Sequence, residues 1–249
     1  MPIPFLNANP FPVEAWFDSS CTLTFAVPKE QVAARLPDCL EPDVFDDRWA
    51  FVAVAIVQTR KLRPAGFPAW MGSDFILVGY RFFVRYKSAS GRNLRGLYIL
   101  RSETDKARMV RLGNCFTRYG YVKSGIRLTE TAGRLHVEAP DTGLEIELDL
   151  TSEGSAPLPP GSPFADWVQA RKFSGPLPFT FSYEREKRRV VIVEGVRSHW
   201  KPLPVRVLSH HIPFLADLGM ENAVLANAFV VRDIPYRWKA GRPETWTPT

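Results

Sequence analysis

The sequence predicts a mainly β fold: a β-rich α+β chain whose strands form an antiparallel β-barrel or strongly curved sheet with short peripheral helices. Three observations lead there. Seventeen Phe, seven Trp and seven Tyr accompany 22 Pro and 16 Gly in 249 residues, a composition that suits many short strands joined by tight turns. Runs that alternate with a period of two recur, such as SCTLTFAV (20–27) and LEIELDL (144–150), as expected of half-buried strands. Clusters of Gly, Pro, Asn and Asp separate them, where the chain must turn.

Residues 20–27 read as a strand, and Pro28 opens KEQVAARL, a short helix with proline in its first turn that Leu36-Pro37 ends. After the polar turn Asp46-Asp47, the segment 49–58 (WAFVAVAIVQ) is almost wholly apolar, which marks a buried strand. Residues 61–73 (KLRPAGFPAWMGS) combine two prolines, two glycines and aromatic residues, and read as a long ordered loop placed to cover a cavity mouth. Residues 74–87 and 95–103 are long strands around the turn 88–93 (SASGRN), with Gly91 as the hairpin signal. Thr104 then caps a helix-like DKARMVRL that Gly113 and Asn114 end.

Two more hairpins, turning at Ala132-Gly133 and at Asp141-Thr142-Gly143, are expected to extend the same antiparallel sheet. The stretch 154–161 (GSAPLPPG) is a linker candidate, but it leads at once into Ser162-Pro163 and the capped amphipathic helix FADWVQARKF. We therefore read one domain over residues 1–249, with its core at about 18–240. Strands at 178–183 and 190–195, a short helix near 213–218 ended by Gly219 and a strand at 226–234 complete the order. The tail beyond Arg242 reads as frayed.

The formal charge is +6, yet only REKRR (185–189) is dense in cations, and it holds a glutamate and lies between two strands. A solvated hairpin tip explains it better than a nucleic-acid surface. Cys21, Cys39 and Cys115 lie far apart in no CxxC spacing, so neither a disulfide framework nor a zinc site is expected. Cys115, following the expected helix end, reads as a buried structural thiol. Ser209-His210-His211 are neighbours that point in different directions, and no HExxH or HxH occurs. No GxSxG, phosphate loop or dinucleotide fingerprint is present. With no signal-peptide pattern and no run of about 18–20 apolar residues, the expectations are a cytoplasmic protein with no membrane partner, no metal and no cofactor.

Several separated pieces carry a family resemblance. They are LPDCLEPDVFDDRWAFVAVAIV (36–57), PAGFPAW followed by SDFILVGYRFFVRY, RGLYILRSETDKARMVRLGN (95–114) and EGVRSHWKPLP near the end. In this order the chain resembles the domain-of-unknown-function family 2071, DUF2071, of the acetoacetate decarboxylase-like superfamily. The resemblance implies a cone-like β-barrel wrapped by short helices with a cavity at one end. Acetoacetate decarboxylases form a Schiff base on one of two adjacent lysines within a GR…GFPKK pattern, and the corresponding positions here are Ile99 and Leu100. Apolar side chains form no imine, and Lys106 is misplaced for that role, so Schiff-base decarboxylation is not expected.

Strand alternation puts Arg95, Leu97, Ile99, Arg101 and Glu103 on one face, and Gly96, Tyr98, Leu100 and Ser102 on the other. If the Arg101 face is inward, Arg101 would clamp an anion with Arg81 or Arg85 as a helper. The alternative is a surface arginine paired with Glu103. The opposite face would offer Tyr98 and Ser102 as neutral hydrogen-bonding groups. His199, in the EGVRSHW segment, is the histidine of interest, with a carbonyl-bonded structural role as its alternative. The candidate ligand-binding residues are thus Arg81, Tyr98, Arg101 and His199, and no catalytic residue is assigned. Three functional readings follow: a binder of a small apolar or anionic molecule in the barrel cavity, an enzyme acting on a keto acid without an imine through Arg101 and Tyr98, or a structural interaction module. Edge strands also leave room for a homo-oligomer.

Overall fold

The computed structural model describes residues 6–175, 177–198 and 200–247. Long alternating or apolar runs become long strands: β1 (Val13–Pro28), then helix α1 (Lys29–Ala33), the short β2 (Glu41–Pro42), β3 (Trp49–Pro64), β4 (Ser73–Lys87) and β5 (Asn93–Thr104). Helix α2 (Ala107–Phe116) follows, then β6 (Tyr121–Lys123), β7 (Arg127–Thr131), β8 (Arg134–Ala139) and β9 (Leu144–Asp149). Helix α3 (Trp167–Ser174), β10 (Phe179–Glu184), β11 (Arg189–Arg197), β12 (Leu203–Pro204), β13 (Arg206–His211), helix α4 (Pro213–Asp217), β14 (Val224–Trp238) and β15 (Arg242–Thr245) complete the chain.

Seven strands close a ring. The order is β14-β1-β3-β4-β5-β10-β11, and β11 pairs back onto β14 through Gly195–Arg197 and Trp238–Tyr236. Neighbours are antiparallel except β5 with β10, which run parallel, as does the short β6 against β5. Closure removes the exposed edges that an open sheet of this length would carry.

The ring has two unlike faces. Outward, Leu23, Phe25, Val52, Val54, Tyr80 and Phe82 pack with Leu135, Val137, Ile146 and Leu148 in the main core. Those last four belong to a separate four-stranded sheet, β13-β9-β8-β7, laid over the barrel. The hairpins at 132–133 and 141–143 therefore form as expected, with Ala132, Gly133 and Gly143 at positive φ, but they build this second layer rather than extend the first sheet. Period two predicts a strand and one buried face; it carries no information on which sheet supplies the cover.

Other boundaries shift for identifiable reasons. Helix α2 runs through Gly113 and Asn114 to Phe116, because those two residues seat a tyrosine described below. Cys115 is consequently exposed in the last turn instead of buried. No side chain caps α2: Lys106 occupies its N-cap, while Thr104 ends β5. Asp166, not Ser162, caps α3 by accepting from the Gln169 N–H at 2.8 Å. The described part of the tail, to Thr247, is not frayed: β15 pairs with β11, and Glu244 accepts from the Tyr86 hydroxyl and the Ala89 N–H, each at 3.0 Å. Among the described residues no helix is long and apolar enough to cross a membrane.

Candidate functional site

Strand register identifies the inward face. Asn227 lies opposite Thr24, Thr24 opposite Ala53, Ala53 opposite Arg81, and Arg81 opposite Ile99. On this same face Leu77 of β4, with Ala55 and Val57 of β3, packs in one cluster with Phe229, Val231 and Tyr236 of β14 across the ring. A side chain on β4 reaches one on β14 only through the interior, so this face lines the lumen. Its lining mixes small or polar residues, Ala53, Ala55, Gly79, Ser102 and Ser182, with apolar ones, Phe51, Val57, Leu77 and Phe83. The outward residues are large and apolar.

Both ends of the lumen are aromatic. At one end Phe51 stacks on Phe164 at 5.3 Å and Phe173 of α3 packs against Phe45. That plug is pinned by Asp43, fully buried, which holds Arg85 at 2.6 Å and Arg95 at 2.5 Å while Arg95 donates to the Phe173 carbonyl. At the other end Tyr236 stacks between Phe17 and Trp238. It also lines an external groove of about 680 Å³ with Ala15, Arg197 and Ala69.

Arg81, half-buried, shares this face with Arg85 and Arg95 but, unlike them, has no ion pair among the described residues. Its Nε has no hydrogen-bond partner, and no carboxylate pairs with it among the described ion pairs. Burial pulls its pKa below the ordinary 12.5, with Tyr236, Tyr121 and Tyr119 acting in the opposite sense. Burial likewise raises the Tyr121 phenol to about 12 and the Tyr119 phenol further, so both stay protonated at neutral pH. Unpartnered polar atoms also occur at Thr24 Oγ1, Ser182 Oγ and Asn227 Oδ1 on inward positions of the ring. Asn227 is oriented by bookkeeping: Ser174 gives its hydroxyl proton to the Ala170 carbonyl, so Asn227 must donate its Nδ2 to Ser174 and present Oδ1 elsewhere.

Three glycines make room for these groups. A Cβ on Gly79 would stand 2.9 Å from Arg81 Nη2, one on Gly113 would overlap the Tyr121 ring, and one on Gly195 would overlap the Tyr236 hydroxyl. Asn114 reinforces the second seat, accepting from the Tyr121 N–H at 2.9 Å and donating to its carbonyl at 2.8 Å. Each glycine lies in one of the recurrent sequence pieces, SDFILVGYR, RMVRLGN and EGVRSHW.

The expected residues divide. Arg81 reaches the lumen. Tyr98 and Arg101 do not, because a β-bulge at Leu100 breaks the alternation: Phe82 faces Tyr98, Arg81 faces Ile99, and Tyr80 already faces Arg101. Tyr98 and Arg101 thus share the outward face instead of opposing ones. There Arg101 Nε lies 3.2 Å from Glu103 and its guanidinium 5.3 Å from the Phe214 ring, the pairing given above as the alternative to an anion clamp. Glu103 is fully buried; desolvation raises its pKa against the opposing pull of Arg101 and a hydrogen bond from Thr142. His199 lies outside the described residues. Tyr121 and Tyr236 were missed, although the glycines that seat them stood in the recurrent motifs.

None of the nine lysines faces the lumen: eight are exposed, and Lys29 pairs with Asp47 at 2.7 Å. Arg63 anchors the loop over 65–72 by donating to the Phe67 carbonyl at 2.8 Å, while it also donates to the Lys61 carbonyl at 2.8 Å and pairs with Glu14. It leaves Trp70 83% exposed beside the groove rather than folded over it. Among the described residues no group of three or more metal-ligating side chains converges.

The family model for DUF2071, described as an uncharacterized conserved protein, matches residues 15–234. No curated protein matches the chain. Among solved structures it is similar to acetoacetate decarboxylase from Legionella pneumophila, at 13% identity over 98% of this chain and 92% of that one, TM-score 0.62. An acetoacetate decarboxylase-like enzyme from Sphingomonas wittichii aligns at 13% identity over 93% and 92%, TM-score 0.57. The enduracididine biosynthesis enzyme MppR, complexed with pyruvate, aligns at 13% identity over 96% and 92%, TM-score 0.59. At these identities the likeness establishes the acetoacetate decarboxylase-like fold.

Proposed function

The chain belongs to the DUF2071 family, and on that premise we propose that its barrel lumen binds a small organic anion, a carboxylate, on Arg81, without forming an imine. The observation that carries this reading is the guanidinium itself. A guanidinium whose Nε is closed off from solvent without a partner costs free energy, and none of the described carboxylates pairs with Arg81; a ligand carboxylate would supply that partner and engage the fork in paired N–H···O bonds. MppR, of the same fold, is known in complex with pyruvate, which makes a keto acid a sensible first probe.

Side chains support the reading without an imine. Ile99, which the family resemblance sets at one of the decarboxylases' two lysine positions, lies opposite Arg81, and Leu100 forms the bulge. No lysine amine is within the lumen to replace them. The test is titration calorimetry with propionate and pyruvate against wild type and Arg81→Met. Wild type binds and the variant loses at least tenfold in affinity. Equal binding by the two proteins would overturn the Arg81 assignment. Borohydride reduction in the presence of acetoacetate leaves no adduct; a stable lysine adduct would refute the second half.

A further inference from the structure

A cleft of about 410 Å³ opens between the turn at 88–93, the start of β5, the end of α3 and the start of β10. Gly96 lets these parts meet: a Cβ there would stand 2.5 Å from the Phe179 carbonyl oxygen, where β10 pairs in parallel with β5. Arg92, Arg95, Arg171 and Lys172 line the cleft beside the apolar Leu177 and Phe179, and none of the described Asp or Glu residues does. Separate elements place these cations. Arg92 is set by the turn, its N–H donating to Ser88 Oγ at 3.2 Å and its carbonyl accepting from the Ser88 N–H at 2.9 Å. Arg95 is fixed by Asp43 and by the Phe173 carbonyl, with its guanidinium 4.8 Å from the Phe173 ring. Arg171 and Lys172 occupy the last turn of α3. The helix dipole accounts for two cations at that end, but not for two more arriving from β5 and the turn before it.

From this one-signed lining we infer a site for a small organic phosphate, separate from Arg81: its charged head lies among Arg92, Arg171 and Lys172, and its apolar body on Leu177 and Phe179. A cleft lined by one sign of charge focuses its field and gathers counter-ions. Arg95 is answered by Asp43, whereas Arg92, Arg171 and Lys172 have no ion pair among the described residues. In the larger groove beside Tyr236, by contrast, Arg60 and Arg63 are answered by Asp18 and Glu14. Three unanswered cations leave a monocarboxylate short of charge. A phosphate brings two charges and oxygens on several sides, which guanidinium forks engage in pairs. The volume falls within the ordinary range for small-molecule sites, about 300–1,000 Å³. Arg92, Arg171 and Lys172 are exposed, so their replacement tests binding without unsettling the fold.

Titration calorimetry with phenyl phosphate and benzoate, which share a ring and differ in the charged head, tests the site. Wild type is expected to bind phenyl phosphate about tenfold or more tighter than benzoate. Arg92→Gln, and separately the pair Arg171→Gln with Lys172→Gln, should each weaken phenyl phosphate about tenfold, with melting temperature and pyruvate binding unchanged. Arg81→Met should leave phenyl phosphate affinity as it is. Equal binding of the two ligands, no binding of phenyl phosphate, or affinity unmoved by either set of substitutions would overturn the inference. Loss of phenyl phosphate binding in Arg81→Met would place the ligand in the lumen and overturn it too, while leaving the Arg81 site standing. A short single-stranded oligonucleotide that binds more tightly than phenyl phosphate, and through the same three side chains, would replace the small phosphate with a nucleic-acid backbone.

Discussion

The inward and outward faces of the same strands obey different rules. Outward, β3 and β4 present Val52, Val54, Tyr80 and Phe82, all nearly inaccessible and packed under the second sheet, and the charges on that side, Arg101 and Glu103, are paired. Inward, the same strands present Ala53, Ala55, Gly79 and Arg81. A face built for stability fills space and pairs its charges. The inner face also buries Phe51, Val57 and Phe83 and pairs Arg85 and Arg95 with Asp43; it differs in leaving Arg81 without an ion pair among the described residues, beside the small Ala53 and Gly79. A position's value to the fold and its value to the site are thus separated by one residue along a single strand.

That separation can be broken experimentally, beginning with the largest effect. Phe82→Ala should cost about 3–5 kcal/mol in urea unfolding, since a buried ring is lost and a cavity left beneath the second sheet; a cost under about 1 kcal/mol would mean that this layer does not hold the fold. Glu184→Gln should cost about 2 kcal/mol at neutral pH, because Arg118, Lys187 and Arg189 lose their shared carboxylate.

The Glu184 contribution also has a defined pH dependence. Desolvation raises its pKa, but the hydrogen bonds from Lys187 and Arg189 outweigh that and hold it below the usual 4.5. Its stabilisation is therefore complete above about pH 4.5 and is lost as pH falls through the lower folded value. The difference between wild type and Glu184→Gln should shrink on acidification; a difference that grows would refute the assignment.

Arg81→Met is expected to have the opposite sign, gaining about 1 kcal/mol while anion binding is lost. Destabilisation by more than about 1 kcal/mol would place Arg81 with the structural charges instead. The smallest effect belongs to Trp70→Ser, within about 0.5 kcal/mol by thermal unfolding, because the ring makes little contact with its own chain. A fall in solution mass for that variant would instead identify the loop as an interface between copies.

Much of this was legible beforehand. Alternation in β1, β8 and β9 marked strands, Gly91, Gly133 and Gly143 marked turns at positive φ, and the apolar run at 49–58 became a strand buried on both faces. The site was legible in part. Arg81 could be named as an inward candidate, but only as the helper of Arg101, because strict alternation carried through Leu100 inverts the face of everything beyond it. One bulged residue reverses that assignment, and no residue type at 99–101 announces it. The phenols were hidden for a related reason. Gly113 reads as a helix terminator, the ordinary use of glycine there, until Tyr121, returning from the next segment, takes the space of its missing side chain.

By itself, then, the sequence determined which stretches are strands, where they turn and the order of the motifs that the DUF2071 model matches, because each depends on neighbours within a few residues. The tertiary structure alone decided the closing of seven strands into a ring, the separation of a second sheet, the inward turn of Arg81 and the seating of Tyr121 against Gly113 and of Tyr236 against Gly195. Those depend on register and on contacts between residues far apart in the chain, and the pairing energies that set them are not encoded in any local pattern.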